Sequence, residues 1–205
     1  LIQNVTCAGS HGLTIGSEVA GGIRNVSFLN MRIHGADGHP SSGAIKFKLP
    51  CGRGAYVKDV LYENITASDV ASGIMLAGGS ASCAINGTTV VSNVTIRNVH
   101  AQNIAGPAFA IDGYSVEGRP SSYAPFSITL QNVTMQTFAQ LGTCSHATIR
   151  TSNVTPAVPT KDASCVVSSG PRALKSTDEL VPLHDDSDAT WDLAPVTLRG
   201  TSSTQ

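Results

Sequence analysis

Apolar and polar residues alternate in four short segments that are evenly spaced along the chain. The segments occupy residues 25–30, 59–64, 93–98 and 127–132, an interval of 34 residues, and each ends on an asparagine. The second and fourth residues of every segment are apolar. Because side chains on a strand point alternately to opposite faces, this pattern predicts one half-buried strand per repeat. A fixed interval of this length is typical of solenoids, in which each coil stacks on the preceding one.

The asparagines that end the segments share the parity of the apolar residues, so we expect them to be buried. They are Asn30, Asn64, Asn98 and Asn132. A buried carboxamide without a partner costs a few kcal/mol. Stacked coils provide the partner, because each carboxamide can hydrogen-bond the equivalent one in the next coil. The sequence therefore predicts an all-β fold, a right-handed parallel β-helix with an internal asparagine ladder.

A second apolar stretch occurs in each repeat, at residues 12–17, 44–48, 73–77 and 108–111, and predicts a second strand per coil. The chain opens on Leu1 in mid-pattern, so we expect the solenoid to be truncated on its N-terminal side. The regular pattern ends near Cys165. We therefore predict a β-helix domain over residues 1–165 and a polar, loosely ordered tail over residues 166–205. The Asp185–Asp186 pair lies in that tail and is interpreted as solvated rather than catalytic.

The composition excludes several classes of function. Charged residues make up 13% of the chain and the formal net charge is −1, so nothing indicates a nucleic-acid partner. No apolar run is long enough to span a membrane. Basic residues are concentrated in the first 60 positions, which weakly favours a polyanionic partner. We expect one solenoid domain and a monomer, and no residue pattern calls for a metal or a cofactor.

Asn-x-Ser/Thr sequons are frequent in the chain, and they are typical of secreted glycoproteins. The repeat itself generates such sequons, so their number alone is weak evidence. Asn25, Asn86 and Asn93 are the predicted glycan acceptors. Asn64 and Asn132 are also in sequons, but their predicted burial argues against modification.

The chain contains five cysteines, which favours an oxidising, extracellular compartment. Cys144 and Cys165 bracket a short polar loop, and we expect them to form a disulfide. The pairing of Cys7, Cys51 and Cys83 stays open, and an odd number of cysteines is compatible with a partner elsewhere in a longer protein.

Two stretches carry candidate chemistry. His11 stands at the start of a predicted strand among small residues, and Lys46 and Lys48 share one face of the equivalent strand in the next coil. Taken singly, the histidine is more often a capping or packing residue, and the lysines can be solvated. If the two strands are neighbours, the three side chains share a surface within roughly 5 to 10 Å. An imidazole beside two ammonium groups suits a carboxylated sugar, and Arg53 in the following turn adds a cation.

These stretches resemble the polygalacturonase-type glycoside hydrolases of family 28, specifically the C-terminal half of the plant-type branch. The similarity covers residues 1 to about 166. It is carried by the Ser10-His11-Gly12 motif, by Gly16-Ser-Glu-Val-Ala-Gly-Gly22, by Lys46-Phe47-Lys48 in place of an Arg-Ile-Lys motif, by Gly52-Arg-Gly-Ala-Tyr56, by residues 105–112, and by the Cys144 to Cys165 loop.

The resemblance implies hydrolysis of α-1,4-galacturonosyl linkages in pectin, with inversion, by a secreted cell-wall enzyme. An inverting enzyme needs two carboxyl groups roughly 6.5–9.5 Å apart. In this family they belong to Asn-Thr-Asp and Asp-Asp motifs upstream of the His-Gly motif, and neither is present here, so we expect this chain alone to be inactive. His11 would tune a catalytic aspartate or the water, Lys48 and Arg53 would bind substrate, and Lys46 would replace the family's arginine.

Two departures from the family pattern leave other readings open. Lysine at position 46 loses the planar, bidentate recognition that arginine gives. A tyrosine often found near Gly79–Ser80 is missing. The alternatives are a relative that acts on another pectic polysaccharide, such as rhamnogalacturonan, and a non-catalytic pectin-binding solenoid. A pectate lyase is disfavoured, because residues 1–165 contain no acidic cluster of the kind that holds calcium.

Overall fold

The computed structural model describes residues 1–78, 82–120, 123–160 and 162–170. Strands dominate this part of the chain, with one turn of 3-10 helix at Ile85–Gly87. The strands are β1 Ile2–Gln3, β2 Thr6–Ala8, β3 Leu13–Gly16, β4 Ile23–His34, β5 Ile45–Lys48, β6 Tyr56–Val70, β7 Ile74–Ala77, β8 Ser82–Cys83, β9 Val90–Asp112, β10 Ser115–Val116, β11 Phe126–Ser145, β12 Ala147–Thr155 and β13 Cys165–Ser169.

The strands form a parallel β-helix, as the sequence predicts. β4 pairs with β6, β6 with β9 and β9 with β11, all in parallel. The register follows the repeat, so that Val26, Val60 and Val94 lie side by side in consecutive coils. The second strand of each coil is also present, because β3 pairs with β5, β5 with β7 and β7 with the end of β9. The apolar residues of each coil face a continuous core inside the solenoid.

The asparagine ladder exists, but it lies outside the core. Asn64 donates to the carboxamide oxygen of Asn30 at 3.0 Å, Asn98 donates to Asn64 at 3.2 Å, and Asn132 donates to Asn98 at 3.0 Å. All four residues are exposed. The hydrogen-bonded ladder is therefore confirmed, and the prediction that these asparagines are buried is wrong.

The backbone conformation explains the error. Asn30 and Asn64 have φ angles of 56° and 58°, in the left-handed region that asparagine tolerates better than most residues. A residue in the left-handed conformation bends the strand. The side chains after the bend then point to the opposite face from the one that strict alternation predicts. Phe28 is accordingly buried before the bend and Met31, three residues later, is buried after it. The asparagines form a corner of each coil instead of a position in the strand.

The exposure of the ladder changes the argument about glycosylation. Asn64 and Asn132 are not excluded by burial, but each amide nitrogen already donates to the preceding coil. Asn25, Asn86 and Asn93 are exposed, as expected of acceptors, although Asn93 donates to Asp59 at 2.7 Å. Modification of these three asparagines stays a prediction.

Two disulfides link different coils of the solenoid. Cys144 and Cys165 are bonded, as the sequence predicts, with their Cα atoms 5.6 Å apart. Cys51 is bonded to Cys83 with a Cα separation of 5.7 Å, which leaves Cys7 as a free, half-buried cysteine. The bond between Cys144 and Cys165 connects the end of β11 to the start of β13.

The regular structure continues beyond the predicted boundary at Cys165. β13 runs to Ser169 and pairs in parallel with β12, so Ala147 lies beside Cys165 and Thr151 beside Ser169. Residues 171–205, including the Asp185–Asp186 pair, lie outside the described residues. In the part of the chain that the structure describes, no helix is both long and apolar enough to cross a membrane.

Candidate functional site

The candidate site is on the outer surface of the second sheet of the solenoid. Ile45 and Phe47 point into the core and are fully buried, so Lys46 and Lys48 point outward. We call the outward residues of this sheet the lysine face. In register across the coils, one column of the face contains Thr14, Lys46, Met75, Ala110 and Thr143, and the other contains Gly16, Lys48, Ala77, Asp112 and Ser145.

His11 is exposed two residues before β3, and it makes one side-chain and one backbone hydrogen bond. Its Nδ1 lies 3.1 Å from the Oγ of Ser42 in the next coil, and its carbonyl accepts a hydrogen bond from Thr14 at 2.9 Å. The adjacent Gly12 has a φ of 78°, and a Cβ at that position would lie 1.9 Å from the carbonyl oxygen of Gly43. Only glycine fits there, which explains the glycine that follows His11.

The structure brings His11 and the two lysines onto neighbouring coils. Lys46 lies beside Thr14, which follows His11 by three residues. Lys48 lies beside Gly16, which follows His11 by five residues. At the usual rise per residue and strand spacing, the backbone of His11 is at most about 11 Å from that of Lys46 and about 17 Å from that of Lys48. A ligand of two or more sugar units can span these distances.

Within the described residues, neither lysine of the pair forms a salt bridge with a carboxylate. In the residues that the structure describes, the salt bridges are those between Arg53 and Glu18 and between Arg97 and Glu63, each at 2.8 Å. Lys46 is half-buried and Lys48 is exposed. Both ammonium groups are therefore available to an anionic ligand.

Arg53, which the sequence predicts to be a further substrate-binding cation, differs from the lysines because it is paired with a carboxylate, and its role in binding stays a prediction. Its guanidinium donates to Glu18, whose other carboxylate oxygen accepts a hydrogen bond from Ser17 at 3.1 Å. The pair is exposed, with 40% and 73% of the two side chains accessible, so its contribution to stability is at most about 1 kcal/mol. Sequence reasoning missed Glu18, although both residues lie in stretches that carry the family resemblance.

Gly22, at the end of the Gly16–Gly22 stretch, has a packing role. A Cβ on Gly22 would lie 2.4 Å from the ring of Tyr56, so the ring covers the bare backbone of the previous coil. The ammonium group of Lys58 lies 4.8 Å from the centre of the same ring, within the range of a cation–π interaction. These contacts pack the segment after β3 against the start of β6.

The lysine face also contains a carboxylate that sequence reasoning missed. Asp112 lies in the same column as Lys48, two strands further toward the C-terminus. Thr143 donates to one of its oxygens at 2.6 Å and Ser145 to the other at 2.9 Å. The available signal was the alternation at the end of β9, where the buried Ile111 puts Asp112 on the outer surface.

No metal site is evident in residues 1–78, 82–120, 123–160 and 162–170, where no three His, Cys, Asp or Glu side chains are arranged to hold an ion. A groove of about 400 Å³ lies beside the turn at Asp37, and a second of about 650 Å³ lies near Val158 at the last coils. Neither groove is lined by His11, Lys46 or Lys48.

One comparison with known proteins gives a match. The model of the family described as glycosyl hydrolases family 28 matches residues 1–165. Searches of curated proteins and of solved structures return no match. The matched segment contains His11, both lysines and Asp112, and most of the 205 residues of the chain. The chain belongs to glycosyl hydrolases family 28.

Proposed function

We propose that this chain forms the substrate-binding wall of a secreted, polygalacturonase-like hydrolase that cleaves α-1,4-galacturonosyl linkages in pectin with inversion. Membership of family 28 supports glycoside hydrolysis in general. The two disulfides are consistent with an extracellular enzyme. The substrate, the linkage and the residue roles are the additional steps of this proposal.

The observation that carries the proposal is the pair of lysines on the coil next to His11. Two ammonium groups on alternate positions of one strand, without carboxylate partners in the described part of the chain, form a local positive surface. A polymer with a carboxylate on each sugar unit is attracted to such a surface. Lys48 binds a substrate carboxylate in this scheme, and Lys46 replaces the arginine of the family motif.

His11 has a positioning role in this proposal. Its Nδ1 is held by the hydroxyl of Ser42, and within the described residues its Nε2 has no hydrogen-bond partner. The tautomer decides whether Nε2 donates or accepts. In either form, Nε2 can hydrogen-bond a catalytic carboxylate or the water that it activates.

The catalytic carboxyl groups are expected outside this chain. Inversion requires an acid that protonates the leaving oxygen and a base that activates water on the opposite face of the sugar. The family resemblance assigns these roles to upstream Asn-Thr-Asp and Asp-Asp motifs, which this sequence lacks. The 205-residue chain is therefore expected to bind pectic polymer without cleaving it.

The test is a hybrid in which this chain follows an upstream half that carries both aspartate motifs. Reducing-sugar release from polygalacturonate is expected, and His11→Ala is expected to reduce kcat by about 10²–10⁴-fold, the usual range for a group that assists proton transfer. His100→Ala, at an exposed histidine on β9, is the matched control and should leave kcat unchanged.

Two results would contradict the proposal. Full activity of the His11→Ala hybrid would remove this residue from the site. An inactive wild-type hybrid that still binds polygalacturonate would favour the alternative function, a non-catalytic pectin-binding solenoid.

Lys48→Ala should raise KM with little change in kcat if the lysine binds substrate and transition state equally.

A further inference from the structure

The charge of the lysine face changes sign along the axis of the solenoid. In the column of Lys48, the next outward residue is Ala77 and the one after it is Asp112. Two strand spacings correspond to about 10 Å. A ligand that lies along the column therefore meets a positive charge and then a negative one within the length of a few sugar units.

This sign change affects which ligands can occupy the whole face. Polygalacturonate has a carboxylate on every unit, so a polymer that reaches past Lys48 brings one of its carboxylates near Asp112. Like charges placed together lower affinity, and proteins use such repulsion to reject one of two related ligands. The face is thus complementary to an anionic unit at Lys48 and to an uncharged unit at Asp112.

The hydrogen bonds of Asp112 point to the same ligand. An ionised carboxylate can accept about four hydrogen bonds. Thr143 and Ser145 supply two of them, one to each oxygen. The remaining lone pairs can accept hydroxyl groups, and the two hydroxyl oxygens keep acceptor capacity of their own. A cluster that is rich in acceptors suits the hydroxyl groups of a sugar and not a second carboxylate.

We propose that Asp112, two coils to the C-terminal side of Lys48, forms a subsite for an uncharged sugar unit together with Thr143 and Ser145 of the following coil. This inference rests on the proposed function, since it assumes a pectic ligand along the lysine face. The uncharged unit can be a methyl-esterified galacturonate or a neutral sugar, because both present hydroxyl groups without a charge. Asp112 is then a specificity-determining residue, which admits pectin with an uncharged unit and disfavours fully ionised polymer.

The experiment is a calorimetric titration of the full 205-residue chain with three oligosaccharides of equal length. One is unesterified oligogalacturonate, one is partly methyl-esterified, and one contains a neutral sugar unit. Asp112→Asn is expected to bind the unesterified ligand about three- to fivefold more tightly, the magnitude of an exposed charge pair. The same variant is expected to bind the methyl-esterified ligand and the ligand with a neutral sugar more weakly than the wild type does. The ligand that loses more affinity identifies whether the subsite holds a methyl-esterified galacturonate or a neutral sugar.

Asp59→Asn is the matched control. It makes the same change of charge at a half-buried corner residue that is absent from the lysine face, and Asn93 can still donate to the new side chain. We expect this variant to bind all three ligands as the wild type does. If Asp112→Asn does not fold, Asp112→Ser removes the same charge with a smaller side chain and is expected to change affinity in the same direction.

The outcomes separate this inference from the proposed function. If wild type binds unesterified ligand, Lys48→Ala weakens that binding and the Asp112 variants change nothing, the subsite is wrong and the proposed function stands. An equal effect of Asp112→Asn on all three ligands would also overturn the subsite. If wild type binds none of the three, the proposed function and the subsite are both wrong.

Discussion

The side-chain amide of Asn64 donates to the carboxamide oxygen of Asn30, 3.0 Å away in the preceding coil, while both backbones have left-handed φ angles. The left-handed conformation costs most residues roughly 1–2 kcal/mol. Asparagine adopts it more readily, and its carboxamide then reaches the same corner in the next coil. One residue type therefore satisfies both the bend and the contact between coils.

The first prediction concerns the two roles of Asn64. Asn64→Gly keeps the left-handed backbone but loses the hydrogen bonds to Asn30 and Asn98, and we expect it to lower the free energy of unfolding by about 1 kcal/mol. Asn64→Ala loses the same bonds and adds the backbone strain, so we expect a total of about 2 kcal/mol. Urea unfolding monitored by circular dichroism measures both values. Equal stabilities of the two variants would refute the role of the left-handed conformation.

The fold was predictable because the repeat encodes the strand register directly. Each coil contains the same alternation of apolar and polar residues, so the apolar residues of segment 25–30 are expected to stack on those of segment 59–64. The exposure of the asparagines was not predictable from alternation alone, because a period of two assumes a straight strand. The bend at Asn30 was visible only as the shift from Phe28 to Met31, where the apolar spacing changes from two to three.

The candidate site was predictable in part. The adjacency of His11 and Lys46 follows from the coil length, and the structure pairs β3, which follows His11, with the strand of Lys46. Glu18 and Asp112 were missed because their partners, Arg53 and Thr143, are 35 and 31 residues away, on the next coil. A contact between coils is invisible to a pattern read along one strand.

The second prediction compares two buried tyrosines. The hydroxyl of Tyr62 is buried without a partner in the described residues, while its ring stacks on Phe28 at 4.6 Å. The hydroxyl of Tyr114 donates to the carbonyl of Leu49. Tyr62→Phe removes an unsatisfied group and keeps the stacking, so we expect no loss of stability. Tyr114→Phe should cost about 1–2 kcal/mol in chemical denaturation, because it leaves a carbonyl without its donor.

The pH dependence of Tyr62 gives an independent measurement. Burial raises the pKa of its phenol well above the ordinary value near 10. The folded state therefore keeps a proton that the unfolded state loses, so the contribution of Tyr62 is present below pH 10 and is lost as the pH rises above it. We expect the wild type to lose stability between pH 10 and 11 more steeply than Tyr62→Phe. Parallel stability curves for the two proteins would contradict this assignment.

The third prediction concerns Lys46, where the family motif has arginine. The guanidinium group binds a carboxylate through two parallel hydrogen bonds, whereas an ammonium group acts as a point charge. Lys46 is half-buried between Thr14 and Met75, so the direction of its side chain is restricted. We expect Lys46→Arg to bind unesterified oligogalacturonate about three- to tenfold more tightly, and Lys46→Met to bind it more weakly.

The measurement is a titration with unesterified oligogalacturonate at low and at high salt. Lys58→Arg is the matched control, because this lysine lies over the ring of Tyr56 and is absent from the lysine face. Tighter binding by Lys46→Arg should persist at high salt, since the gain comes from hydrogen-bond geometry and screening chiefly weakens exposed charge pairs. If Lys46→Arg and Lys46→Met both bind as the wild type does, position 46 does not contact the ligand. The anionic unit would then be held by Lys48 alone, and the binding surface would be confined to the column that also contains Asp112.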